Sequence, residues 1–251
     1  MPSSPAAATA PLPSERELAA LADRAEGLAP GDLQSLYAGL TGAARLRAAG
    51  DGLFWLRFVL TRDEADAGAS VKPFPLHLEY LRALWDVLDT RQCVVIAKSR
   101  QMLVSWCVAA FAVWWARHKD NQAIYWQSQK DRDSINMVCL PKGAAMGRCQ
   151  FIEANLPPWM RINIPPVEGR LNYPNGSFIQ ALPGGAAQIR SNVPSLYIGD
   201  EFAFQEEQKG VWTAVAPLIQ KGAKAFLIST PNGSANQFAE LWHGRPVGDA
   251  A

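Results

Sequence analysis

Apolar positions in this chain fall into two kinds of stretch, and their alternation predicts the fold. Short β-branched runs bounded by polar residues read as strands buried on both faces, and longer runs with apolar residues at helical spacing read as helices. The run Cys93-Val94-Val95-Ile96-Ala97 is of the first kind. A polar loop from Lys98 to Gln101 follows. The apolar stretch from there to His118 is too long for a strand and free of Pro and Gly, so it reads as a buried helix. Downstream, Gln122 to Ser128 alternates as a second strand, and Ser134 to Val138 begins a helix that Pro141 ends. Residues 141–169 are rich in Pro and turns. Between Leu171 and Ile179, Asn175-Gly176 separates two apolar runs, the strongest short hairpin signal, and predicts an antiparallel ribbon on the sheet edge. Leu196-Tyr197-Ile198 and Ala225-Phe226-Leu227-Ile228 complete the strands.

Upstream the pattern is weaker. Residues 1–13 are low in complexity and read as disordered. Ser14 caps a helix through Ala25, with Glu17 placed for a capping box, and Gly31-Asp32 starts a second helix ending near Gly50. Arg45 and Arg47 make that helix weakly amphipathic, either a solvated appendage or a DNA contact. Leu53 to Leu60 is apolar and aromatic, and Thr61 to Ser70 is charged and expected to be flexible. The segment Lys72-Pro73-Phe74-Pro75 is a turn that either packs on an adenine or covers the core. It leads into a helix through Leu88, with Leu78, Leu81, Leu84, Trp85 and Leu88 on one face. Two regions follow: 1–50, a disordered tail with a helical appendage, and 51–251, one α/β domain with a mostly parallel sheet flanked by helices.

Composition narrows the picture modestly. A chain of 251 residues with 49% hydrophobic content can bury a sizeable core, and a net charge of +1 demands neither nucleic acid nor a membrane as partner. The run Cys107 to Trp115 is far short of a membrane span, and Met1 to Pro13 has no signal-peptide character. Cys93, Cys107, Cys139 and Cys149 show no paired spacing; Cys93 and Cys107 sit among apolar residues and read as reduced core thiols of a cytosolic protein. His77, His118 and His243 are scattered, which argues against zinc.

Candidate chemistry gathers where strands end. Strand, loop and helix around Lys98 aim a helix N-terminus at whatever sits over the loop, and a phosphate is the usual guest. Against the pattern GxxxxGK[ST], Lys98 falls at the first Gly, Leu103 at the second, Val104 at the Lys and Ser105 at the Ser/Thr, so only Ser105 matches. The alternative is a plain strand–helix crossover with a polar turn. The strand Leu196 to Ile198 ends at Asp200-Glu201, where ligands of open parallel sheets bind. Asp200 can hold Mg2+ while Glu201 polarises an attacking water, or the pair is a helix cap with a first-turn Glu. The last strand delivers Ser229, Thr230 and Pro231 to the same edge.

Taken in order, these elements resemble the ATPase domain of viral large terminases, the motors that package phage DNA, from about Leu53 to Trp242. Lys98-Ser99-Arg100-Gln101-Met102-Leu103-Val104-Ser105 looks like the family's deviant Walker A, with the Lys at the start of the loop. Tyr197 to Glu201 looks like Walker B with its catalytic Glu, and Ser229-Thr230-Pro231 like the coupling motif. Phe74 to Glu79 stands at the adenine-contacting segment, and Ile189-Arg190-Ser191 resembles a basic motif whose Arg reaches a neighbouring subunit's nucleotide. The chain departs from the family at Leu103, where Gly is frequent; a positive φ is costly there, so a reshaped loop is expected. It departs again at Glu79, where Gln is common, and in having no nuclease domain after the coupling motif.

The resemblance implies a P-loop NTPase fold of the ASCE/RecA-like type and an ATPase that uses ATP and Mg2+. Lys98 and backbone N–H groups to Ser105 would hold the phosphates, Ser105 and Asp200 the metal, and Glu201 the water. Arg100 would sense phosphate in cis or stand as a surface Arg, and Arg190 would act in trans or form a structural ion pair. Implied partners are double-stranded DNA, a portal protein, the small terminase subunit and further copies in a ring, with no membrane, in the host cytoplasm and transiently on the procapsid. No nuclease activity is expected. The other readings are a different nucleic-acid ATPase, such as a helicase-like protein, and a catalytically weak or inactive prophage remnant or nucleotide-binding assembly module.

Overall fold

A computed structural model describes residues 30–62 and 71–244. The expected tail 1–13, the helix from Ser14 to Ala25 and most of the stretch expected to be flexible lie outside those residues. The chain begins with helices α1 (Pro30–Gly50) and α2 (Gly52–Leu56), strands β1 (Leu60–Arg62) and β2 (Val71–Pro73), and helix α3 (Glu79–Thr90). Strand β3 (Cys93–Ala97), helix α4 (Val104–His118), strand β4 (Ala123–Gln127) and helices α5 (Asp131–Val138) and α6 (Arg148–Asn155) follow. The antiparallel pair β5 (Arg170–Asn172) and β6 (Phe178–Leu182) comes next, then helix α7 (Ala186–Arg190). The described chain closes with β7 (Leu196–Gly199), a 3-10 turn (Phe202–Phe204), α8 (Gln208–Gln220), β8 (Lys224–Ser229) and α9 (Gln237–Trp242).

One sheet has strand order β3-β8-β7-β4-β6-β5, parallel throughout except for β5 at its edge, while β1 and β2 form a separate antiparallel pair. This is the expected mostly parallel architecture with its antiparallel edge hairpin. Alternate strand residues serve opposite layers, as the pleat requires. Ile124, Trp126, Leu196, Ile198, Phe226 and Ile228 join one core with α2, α3, α4 and α6. Tyr125, Tyr197, Ala225 and Leu227 join a second with Val211 and Val215 of α8 and Phe238 of α9. The sheet is therefore buried on both faces, which is why its strands read as unbroken apolar runs.

Side chains from distant segments satisfy helix ends that would otherwise be left unpaired. The Lys224 ammonium donates to the carbonyls of Leu88, Asp89 and Arg91 at 2.7–2.8 Å, at the end of α3. The Asn175 amide at the hairpin tip donates to Ala116 and Lys119 carbonyls at the end of α4. The last turns of α1 belong to the main core: Ala48 is fully buried, and the Trp114 indole N–H donates to its carbonyl at 2.8 Å. Just beyond, α2 approaches α3 so closely that a Cβ at Gly52 would lie 2.3 Å from the Trp85 ring.

Four expectations need correction. Cys93, expected in the core, is exposed at the start of β3, because the alternating pleat buries Val94 and Ile96 instead. Residues 141–169 hold a helix, α6, whose start packs so tightly on the end of α5 that a Cβ at Gly147 would sit 2.9 Å from Val138 and Cys139 backbone. Thr61, placed in a flexible stretch, is buried in β1. Leu103 does not reshape the loop to avoid a positive φ. It adopts φ 54°, ψ 11° at the N-cap of α4, a conformation costing an L-residue about 1–2 kcal/mol, with its side chain packed against the core.

His118 gives the fold an acid-sensitive point. Burial, then the charges of Arg117 and Lys119, hold its imidazole down to about 4, and its Nε2 is buried without a hydrogen bond. A base with a depressed folded pKa contributes stability that is complete above its unfolded value and is lost as pH falls. The loss should run from about pH 6.5 to 4 and reach at most about 3 kcal/mol. Urea unfolding across this range should show wild type losing stability faster than His118→Gln; parallel curves would remove His118 from the account.

Candidate nucleotide site

Strands β3, β7 and β8 end at the same edge of the sheet, and three polar segments meet there. Ala97 pairs with Ser229, and Lys98 N–H continues the ladder to Ser229 O at 3.0 Å. Gly199 pairs with Leu227 on one side and Gln127 on the other, so Asp200 emerges between β8 and β4. A Cβ at Gly199 would come within 2.9 Å of the Phe202 ring, which folds back beneath the carboxylates.

These segments line a cleft of about 1130 Å³. Every residue of the loop from Lys98 to Ser105 faces it, as do Asp200 and Glu201. The Lys98 ammonium lies 2.7 Å from Glu201 Oε1, and the Lys98 side chain is only 10% exposed. The other carboxylate oxygen, Oε2, accepts from Thr230 N–H at 3.3 Å, Thr230 Oγ1 at 3.2 Å and Ser229 Oγ at 3.4 Å. One carboxylate thus joins the ends of three strands. Burial alone would raise the Glu201 pKa, but Lys98 and the Thr230 donors outweigh it and hold the group below its ordinary value. Glu201 itself stands at φ 45°, ψ 44°, an unfavourable conformation for an L-residue.

Asp200 is in a different state. It is 3% exposed, and burial pushes its carboxyl up to about 6 despite the nearby charges of Lys98 and Arg148. Its backbone is pinned by Asp200 N–H to Gln127 O at 2.8 Å and by the Gln205 amide donating to Asp200 O at 3.1 Å. A buried carboxylate held in place at a cleft floor is suited to a cation. No group of three or more His, Cys, Asp or Glu among the described residues could hold a metal. Mg2+ takes one or two protein oxygens and completes its shell with phosphate and water. Asp200 and Ser105 fit such a role.

Other expected residues stand elsewhere. Phe74 is buried in the core, and its neighbours Pro73 and Pro75 line the cleft instead. The Glu79 side chain is 91% exposed, 3.8 Å from Arg82. Arg100 lies in the cleft wall and is exposed, whereas Arg190 is exposed on the last turn of α7, outside the lining. Pro231 is exposed beyond the strand end. The sequence reading missed other residues that line the cleft, Ser128, Asn136, Met146 and Arg148. Of these only Ser128 ends an element legible as a strand.

No family model matches the chain. Among solved structures it is similar to the large terminase of bacteriophage HK97, at 15% identity with a TM-score of 0.50, over 74% of this chain and 38% of that one. The large terminase ATPase domain of Thermus phage P74-26 aligns at 17% identity with a TM-score of 0.47, over 64% of this chain and 68% of that domain. At these identities the likeness is one of fold: the chain shares an α/β fold with the HK97 large terminase. No helix among the described residues is long and apolar enough to cross a membrane.

Proposed function

We propose that this chain, a P-loop α/β domain in fold, is the ATP-hydrolysing motor domain of a phage DNA-packaging large terminase, coupling hydrolysis to the movement of double-stranded DNA into a procapsid. The observation that carries the reading is the junction of Lys98 with Glu201, beside buried Asp200, in a cleft at the strand ends. Phosphoryl transfer needs positioned charge more than covalent chemistry. Lys98 and the N–H groups at the start of α4 supply donors to the β- and γ-phosphates. Ser105 and Asp200 would hold Mg2+, which when bound neutralises charge on those phosphates. Glu201 orients the attacking water, and Ser229, Thr230 and Pro231 carry the change at its carboxylate into β8. Arg100 senses phosphate within the subunit. Arg190, exposed and outside this chain's own cleft, would serve the nucleotide of a neighbouring copy. The working assembly is then a ring on a portal, fed with DNA by a small subunit in the host cytoplasm.

Phosphate release tests this directly. Mg2+-dependent ATP hydrolysis should rise on adding linear double-stranded DNA, and specific activity should rise with protein concentration. Arg190→Ala should flatten the concentration dependence, since an arginine acting in trans is worth roughly a thousandfold in rate. ATP binding without turnover under all conditions would favour an assembly module over a motor.

A further inference from the structure

The loop from Lys98 to Ser105 contains no glycine, yet it follows a path on which glycine is usual. Four non-glycine residues among those described have a positive φ, and two of them stand on either side of Met102: Gln101 at 61° and Leu103 at 54°. Each conformation is unfavourable for an L-residue, so the loop left to itself would relax into another shape. Leu103 is packed against the core, whereas Gln101 and Met102 are exposed. The middle of the loop is held by a side chain from outside it: the Tyr80 hydroxyl donates to the Met102 carbonyl at 3.1 Å. Tyr80 rides on an anchored helix. Leu81, Trp85 and Leu88 of α3 are buried, and Lys224 satisfies the carbonyls at the helix end. Fixing Met102 O also fixes the Leu103 N–H, on the opposite side of the same planar trans peptide. Leu103 faces the cleft, and a left-handed Leu103 followed by helical Val104 gathers successive N–H groups into the kind of concavity that holds anions.

We propose that Tyr80 is a positioning residue for the phosphate loop: by holding the Met102 carbonyl, its hydroxyl keeps Gln101 and Leu103 left-handed and the loop's N–H groups gathered for phosphate. This rests on the nucleotide reading above. Tyr80 stands outside the cleft lining, so it acts through the loop and not on the ligand. In a loop with glycine at these positions the left-handed geometry needs no such support. Here a hydrogen bond from a rigid helix takes that part, and the effect of losing it depends on the strain it opposes.

Calorimetric titration with Mg2+ plus a non-hydrolysable ATP analogue, and separately with Mg2+ plus inorganic tripolyphosphate, tests the assignment on wild type, Tyr80→Phe, Gln101→Gly and the double variant. Both probes should bind Tyr80→Phe roughly threefold to tenfold more weakly, the scale of one neutral hydrogen bond. In the Gln101→Gly background, where glycine relieves the strain, the same Tyr80→Phe change should weaken binding by less than about twofold. A merely structural tyrosine would lower the melting temperature and leave the two substitutions additive in affinity. Additive losses, or no loss in Tyr80→Phe, overturn the proposal. So does weaker binding of the ATP analogue with tripolyphosphate unaffected, which would make the Tyr80 hydroxyl a contact for base or ribose. Wild type that binds neither probe would overturn the nucleotide reading itself, before any variant is compared.

Discussion

Lys98→Ala should lose nucleotide binding and hydrolysis together. Lys98 is the single lysine of the loop, its side chain is 90% buried on the Glu201 carboxylate, and Val104 stands where another loop would offer a second ammonium. Removing one preorganised donor to a developing phosphate charge costs about 100- to 1,000-fold in rate. Binding should weaken as well, because the ammonium meets the ground-state phosphates too. The variant should still fold: Glu201 keeps its Thr230 and Ser229 donors and is 38% exposed, so water can replace the lost cation. Calorimetric binding, phosphate release and a melting curve on one preparation separate these effects. Normal ATP binding and turnover would end the deviant Walker A reading.

Glu201→Gln should part binding from chemistry. A glutamine keeps the shape and can still accept from Thr230 but cannot take the proton of an attacking water, so turnover should fall by about two orders of magnitude or more. ATP should bind at least as well as to wild type. Lys98 is engaged by Glu201 at 2.7 Å, and phosphate must compete with that carboxylate for the ammonium. Glutamine competes less. Tighter ATP binding with lost turnover is the expected pair of results, and near-wild-type turnover would take Glu201 out of the catalytic role.

The sequence by itself determined the layers and the strand-end segments of the site. β3, β4, β7 and β8 are buried on both faces, so each appears as an uninterrupted apolar run, and each ends where polar residues must face the strand edge. Loop, carboxylate pair and Ser-Thr-Pro turn could therefore be read in order, and the Asn-Gly hairpin was legible because its turn chemistry is local. Leu103 could be flagged, but not its outcome. Whether a leucine tolerates φ 54° depends on what its side chain packs against, and that is tertiary.

Only the tertiary structure decided the rest of the cleft lining. α6 is short and flanked by turns, with no helical-period stripe long enough to detect, and it forms because it docks on α4 and the end of α5. Arg148 reaches the cleft by that docking, 52 residues before Asp200 in the chain. Lys224 read as a charged residue ahead of a strand, yet it caps α3 from across the sheet. The bond between Lys98 and Glu201 spans 103 residues. A period or a turn is written in neighbouring residues, whereas a contact between distant side chains exists only once strand order has set which ends adjoin.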